Sequence, residues 1–238
     1  MMKTKHTLPI LVALLAFSCN PRADKNLGEL ITETRPISGI SELKIDGVFN
    51  IYLEQGDGET LEINAYEEVL DYLVISENGS ELLIDFDPEQ ADFLDDKTPE
   101  IHLTLSELNK LEFDGVGNIQ TKKRFLLNDL QLKGKGVVNL ELQIEADRLD
   151  AEFDMMGNTH LSGKAEVAKI NFRGMGNLEA SELVTQKMEI NSNGMGHVAV
   201  HCEGELSITA EGMGIVSYTG NPTILKEEIK GLGVVDRN

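Results

Sequence analysis

Methionine and histidine side chains of this sequence could hold a transition-metal ion. Four methionines recur 18 to 20 residues apart, and stacked thioethers could coordinate Cu(I). We favour adaptable packing or an apolar interaction strip instead. His197 and His201 lie about 13 Å apart along one strand, too far to share an ion. We therefore predict no metal site and no cofactor. The methionines are Met156, Met175, Met195 and Met213.

An acidic segment has the spacing of a calcium loop at its start. Asp85, Asp87 and Glu89 occupy positions one, three and five of such a loop. Gln90 stands where the loop requires glycine, and Asp96 where it requires a bidentate glutamate. We interpret the segment as a solvated, protruding loop and leave Ca²⁺ binding open as the alternative.

The sequence has no serine elbow, no cysteine and histidine pairing with an orienting partner, and no HExxH-like helix. Most acidic residues are interpreted as a solvated face. We predict a protein that is not an enzyme, with a polysaccharide-cleaving β-helix as the least favoured alternative.

The N-terminus carries an export signal. Lys3 and Lys5 precede an apolar run over residues 8–17, which is too short to span a bilayer. Ser18 and Cys19 follow, and the pattern resembles a bacterial lipoprotein signal. We predict a signal peptide over residues 1–18 and a lipid on Cys19 that anchors the chain at a membrane. The alternative is an ordinary cleaved signal with an incidental cysteine.

Charge and composition define the rest of the chain. Its 238 residues carry 41 acidic and 21 basic side chains, a net charge of −20, which excludes nucleic acid as a partner. The polar residues 19–36 are predicted to be a tether, and residues 37–238 a single domain. Cys202 has no disulfide partner if Cys19 carries lipid, and we expect it to be a small buried hydrophobe.

A glycine repeat defines the second part of the predicted domain, residues 106–238, after an N-terminal β portion over residues 37–105. Gly-x-Gly recurs six times, and a seventh copy, Met155-Met156-Gly157, lacks its first glycine. The second glycines are 18 to 21 residues apart, with period-two alternation on both sides. This pattern predicts an all-β β-solenoid, similar to a parallel β-helix, with coils of about 19 residues and glycine at the corners. The assigned turn glycines are Gly115, Gly117, Gly134, Gly136, Gly157, Gly174, Gly176, Gly194, Gly196, Gly212, Gly214, Gly231 and Gly233.

These residues carry a family resemblance. The segment from Asp46 to Asp57 (DGVFNIYLEQGD), followed by copies such as Gly115-Val116-Gly117-Asn118, resembles the autotransporter adhesin head GIN domain family of Bacteroidetes-type bacteria. The resemblance implies a β-helical fold and an adhesin-like role, and it supplies no catalytic residues. The chain departs from the pattern at Met155, Val137, His197, Ile215 and Val234, which argues against a continuous asparagine ladder.

The function predicted from these features is an adhesin-like binding module. It would be an outer-membrane lipoprotein facing the cell surface or the periplasm, with a glycan or protein ligand. The alternative is a structural envelope protein that self-associates into a homo-oligomer through the methionine strip or an exposed coil end.

Overall fold

The computed structural model describes residues 27–86 and 98–237. The lipoprotein signal, Cys19 and the acidic residues 87–97 lie outside the described residues, so what is said of them stays a prediction. The elements are β1 (Leu30–Pro36), β2 (Glu42–Gln55), β3 (Thr60–Tyr66), α1 (Glu67–Leu70), β4 (Leu73–Asn78), β5 (Glu81–Phe86), β6 (Glu100–Leu105), β7 (Lys110–Thr121), β8 (Phe125–Thr219), β9 (Thr223–Gly231) and β10 (Val234–Arg237).

The N-terminal strands form the mixed part of the sheet. Strand β3 is antiparallel to both β1 and β6, and β4 is antiparallel to β5. Strand β2 runs parallel to β5, β6 and β7, and so connects this part to the repeats. The all-β class predicted from the alternation is confirmed, and the sheet is mixed and not closed.

The ordered fold begins earlier than the sequence predicts. Residues 30–36, assigned to the tether, form β1, in which Leu30 pairs with Tyr66 and Pro36 with Thr60. Leu27, just before this strand, is buried. The predicted tether is therefore too long at its C-terminal end, because a polar edge strand lacks the apolar alternation that identifies buried strands.

The strands that carry the repeats run parallel to one another. Strand β7 pairs with the start of β8, and β9 and β10 pair with its last third. Strand β8 has 95 residues and would be about 310 Å long if it were straight. The chain bends back repeatedly within β8, as the contacts between residues 19 apart show. Nδ2 of Asn158 lies 3.3 Å from Oδ1 of Asn139, and Nδ2 of Asn177 lies 3.2 Å from Oδ1 of Asn158. Successive copies therefore lie side by side.

The copy around Gly134 and Gly136 pairs with β7 two residues away from the position that an alignment of the Gly-x-Gly tripeptides predicts. Gly136 pairs with Gly115, and Gly134 pairs with Phe113. The structural copy is thus Gly136-Val137-Val138-Asn139. The alignment of this copy on its two glycines is wrong, because the alternation of buried and exposed side chains fixes the register of a strand more strongly than a tripeptide does.

The core is formed by alternate residues of strands β2, β3, β5, β6, β7 and β8, and phenylalanine supplies its largest side chains. Gly134 makes room for two of them, since a Cβ at this position would lie 2.4 Å from Cζ of Phe113 and 3.0 Å from Cδ1 of Phe153. Cys202 is fully buried, as predicted. Within the described part of the chain, no helix has the length and apolar character needed to cross a membrane.

Candidate functional site

The predicted turn glycines lie inside strands β7, β8 and β9 or beside β10. At most of them a Cβ would meet the backbone of a neighbouring copy, which explains the residue type. At Gly176, φ is +151°, and a Cβ would lie 1.9 Å from the carbonyl oxygen of Gly157 in the neighbouring copy. Positive φ occurs at Gly115, Gly117, Gly136, Gly157, Gly174, Gly176, Gly196, Gly212 and Gly231. It does not occur at Gly134, Gly194, Gly214 and Gly233.

The residue between the two glycine positions is exposed in every copy except at Val48 on β2, which is partly buried against the core. Together these residues form a line that we call the apolar ridge. The corrected register removes Lys135 from this line and places Val137 beside Val116. Every member is therefore apolar, and all but Val48 are between 43% and 78% exposed. The ridge consists of Val48, Val116, Val137, Met156, Met175, Met195, Met213 and Leu232.

An asparagine ladder runs along one side of the apolar ridge. The side-chain amide of each asparagine donates from Nδ2 to Oδ1 of the asparagine in the preceding copy, at 2.7 to 3.3 Å. The corrected register makes the ladder continuous through Asn139, and it ends where His197, Ile215 and Val234 follow. The predicted interruption at Val137 is therefore wrong. The ladder comprises Asn50, Asn118, Asn139, Asn158 and Asn177.

The ladder lines a groove of about 670 Å³, which we call the amide groove. Its second wall is the next outward line of side chains, which brings a phenol, an amide, a carboxylate and an imidazole to the same groove. At one end, the Tyr52 ring stacks on His102, with ring centroids 4.6 Å apart. The second wall consists of Tyr52, Gln120, Glu141 and His160.

A charged column runs along the other side of the apolar ridge. Its members line a second groove of about 480 Å³ at its N-terminal half. At the C-terminal end, Nζ of Lys230 lies 3.0 Å from Oε1 of Glu211. Hydrogen bonds from Lys226 and Lys230 lower the pKa of Glu228 to about 2. The charged column consists of Asp46, Asp114, Lys135, Asp154, Arg173, Asn193, Glu211 and Lys230.

A hydroxyl, an imidazole and a carboxylate form a hydrogen-bonded line that the sequence did not reveal. Nδ1 of His201 lies 2.8 Å from Oγ1 of Thr219, and Nε2 lies 2.8 Å from Oε1 of Glu203. Such distances are typical of a nucleophilic hydroxyl, the base that activates it and the carboxylate that orients the base. His197 makes a similar contact, 2.8 Å from Ser217, and neither groove described above includes these residues. We interpret both histidines as bridges between adjacent copies.

Over residues 27–86 and 98–237, no three His, Cys, Asp or Glu side chains converge as they would around an ion. The four methionines of the predicted strip share one line, the apolar ridge, and are all exposed. What the structure brings together among the described residues is a set of side-chain ladders.

The fold and these ladders define an all-β repeat protein that presents lines of like side chains on its surface. The chain belongs to the family described as "Putative auto-transporter adhesin, head GIN domain", whose model matches residues 40–222. The resemblance predicted from the sequence is confirmed. No curated protein sequence matches the chain significantly.

Solved structures agree with this assignment. A "putative adhesin" from Bacteroides fragilis is 26% identical, with a TM-score of 0.79 over 88% of this chain and 97% of that one. A "putative adhesin" from Parabacteroides merdae is 21% identical, with a TM-score of 0.63 over 89% and 97%. A "putative lipid binding protein" from Parabacteroides distasonis is 23% identical, with a TM-score of 0.60 over 87% and 96%. The last two establish the fold alone.

Proposed function

We propose that this chain is a non-enzymatic, adhesin-like binding module of the cell envelope, held at a membrane by a lipid on Cys19. Membership of the family and the likeness to the Bacteroides fragilis structure support the binding role. The apolar residues 8–17 followed by Ser18 and Cys19 support the anchor. The module would face the cell surface or the periplasm from the outer membrane.

The proposal includes a β-solenoid with coils of about 19 residues. Parallel pairing of β7 with β8 at an offset of 21 residues supports it, as do amide contacts between residues 19 apart. Stacking explains why a single copy, which cannot bury its own apolar face, recurs along the chain. It also explains why like side chains form ladders.

The observation that carries the proposal is the amide groove. Each asparagine offers two N–H donors and a carbonyl oxygen with two lone pairs. A ladder contact uses one donor of one residue and one lone pair of the next, so an inner asparagine such as Asn118 keeps capacity for both roles. A row of combined donors and acceptors about 4.8 Å apart complements a chain of hydroxyl groups.

The ligand class that fits the amide groove is an uncharged glycan. Glu141 is the single carboxylate among the lining residues, and the chain has a net charge of −20, so anionic ligands are disfavoured. Amides, the Tyr52 hydroxyl and the His160 ring hydrogen-bond to hydroxyl groups without requiring a charge on the ligand. A protein ligand is the alternative outcome.

Binding to immobilised neutral and acidic glycans tests this proposal. We expect Asn158→Ala to weaken binding of a neutral glycan about tenfold, because it removes one of the four asparagines that line the groove. Asn191→Ala is the matched control, since Asn191 makes the same kind of contact, 3.0 Å to Oδ1 of Asn171, outside this groove. Equal binding by both variants, with unchanged melting temperatures, would contradict the assignment of the groove.

Location is tested on cells. Protease added to intact cells should cut a surface-facing chain, whereas a periplasm-facing chain is cut only after lysis. Cys19→Ser should abolish incorporation of labelled fatty acid and release the protein from the membrane fraction, because one thiol carries the whole anchor. Retention of label in this variant would overturn the anchor.

A further inference from the structure

The apolar ridge is an exposed surface that the amide groove does not use. Its seven exposed members would be separated by about 4.8 Å per copy, so that the eight-residue ridge is about 34 Å long. It widens at its C-terminal end, where Ile215 and Val234, 48% and 52% exposed, replace asparagine. Contiguous exposed apolar surface of this length is typical of an interaction site.

The size of the surface suits a protein partner. With the charged column on one flank and the asparagine ladder on the other, the surface measures about 34 by 20 Å, on the order of 700 Å². A standard interface buries about 800 Å² on each partner. A line of unbranched and branched aliphatic side chains, with methionine at its centre, packs well against another copy of itself.

The charges beside the ridge are arranged so that a reversed copy complements them. A two-fold axis lying in the interface and perpendicular to the ridge reverses the second ridge and brings the two charged columns face to face. Counting from opposite ends then places Asp46 against Lys230, Asp154 against Arg173, Lys135 against Asn193 and Asp114 against Glu211.

Two of these four contacts join opposite charges, and one joins like charges. The two-fold axis repeats each contact, and the Asp154 and Arg173 contact falls at the centre of the interface, where the surrounding methionines exclude water. A two-fold axis along the ridge would instead place the charged column over the asparagine ladder and leave its charges without partners. The reversed arrangement is therefore favoured.

We propose that a second copy of this chain packs on the apolar ridge, with the two ridges antiparallel and the charged columns facing each other. The asparagine ladder lies at the edge of this interface, so a ligand in the amide groove and the second copy compete there. Pairing itself does not depend on the proposed glycan function.

Cysteine cross-linking tests the arrangement in membranes that hold the full chain. Two differently tagged copies are expressed together, one with Val116→Cys and the other with Met213→Cys, and are oxidised without ligand. The antiparallel arrangement places these positions opposite each other, whereas two Val116 residues lie about 24 Å apart. We expect a disulfide between Val116→Cys and Met213→Cys and none between two Val116→Cys copies. The native Cys202 is buried and does not interfere.

The mass of the detergent-solubilised full chain gives a second measurement. We expect a dimer that Met175→Glu converts to a monomer, while Val74→Glu, at an exposed apolar position on β4, leaves the dimer intact. A wild-type monomer at all concentrations would overturn the proposal, and so would cross-links between two Val116→Cys copies or only to another protein.

Discussion

Gly176 and Met175 are neighbours in the chain, but a larger side chain is excluded at Gly176 and tolerated at Met175. A Cβ on Gly176 meets the backbone of the adjacent copy, while the side chain of Met175 points away from the protein. We expect Gly176→Val to lower the free energy of unfolding by about 3 kcal/mol or more, because neither the backbone angle nor the oxygen of Gly157 can give way. Met175→Leu should cost less than about 1 kcal/mol. Equal melting temperatures for the two variants would contradict this account.

Gly134 differs from the other glycines of the Gly-x-Gly copies because the space beside it is filled by side chains and not by backbone. We expect Gly134→Ala to destabilise the protein by about 1 to 3 kcal/mol through the clash with Phe113, and Phe113→Leu to relieve part of that cost in the double variant. Gly136→Ala is the comparison, since its Cβ would lie 2.0 Å from the carbonyl oxygen of Gly115. Rescue of Gly136→Ala by Phe113→Leu would contradict the corrected register, and chemical denaturation measures all four variants.

At the scale of elements, a single carboxylate ties the start of β2 to the end of β6. Oε2 of Glu59 accepts a hydrogen bond from the backbone of Gly39 at 2.6 Å, and Oε1 accepts from both the backbone and the hydroxyl of Ser106. The Ser106 hydroxyl is the main cause that lowers the pKa of Glu59 below its ordinary value of 4.5. The ionised form is thus the one that holds these segments together.

This linkage gives a pH dependence with a definite sign. Since the pKa of Glu59 is lower in the folded than in the unfolded chain, its stabilisation is complete above the ordinary value of 4.5 and is lost as the pH falls through the folded pKa. We expect Glu59→Gln to cost about 1 kcal/mol at neutral pH and little in acid. Glu77→Gln, on the exposed end of β4, is the control. A pH-independent difference in unfolding free energy would contradict the linkage.

Over the whole molecule, the two ends of the sheet are built differently. Strands β1, β3 and β6 cover one end with antiparallel pairing, whereas among the described residues β9 and β10 pair only with the end of β8. Leu225, Leu232 and Val234 are exposed at that end. Stability is therefore expected to decline from the middle copies toward the C-terminus, as in other repeat proteins.

Amide hydrogen exchange measures this gradient. We expect residues 139–177, which have a copy on each side, to exchange more slowly than residues 223–237. Uniform protection along the chain would indicate that the last strands are covered by a partner. The dimer-breaking Met175→Glu variant distinguishes the cases, since protection conferred by the proposed second copy would then be lost.

The sequence alone was sufficient for much of this protein. Alternation of apolar and polar residues identified the strands, the buried face and the all-β class, because it reflects the geometry of an extended chain. The opening segment and the glycine repeats identified the family. The methionines were placed in one line, because a repeat of constant length brings equivalent residues together.

Only the tertiary structure decided which residues share a rung. The tripeptide pattern paired Gly134 with Gly115, yet its neighbour in the structure is Phe113. Core packing fixes the register of a copy, and it joins residues that are far apart in the chain. Long-range pairing also makes a strand, β1, of a polar segment. It makes the asparagine ladder continuous through Asn139. It also brought Thr219 to His201 across 18 residues. Residue types and their period are local properties of a sequence, whereas side-chain neighbours between copies depend on how the chain bends between them.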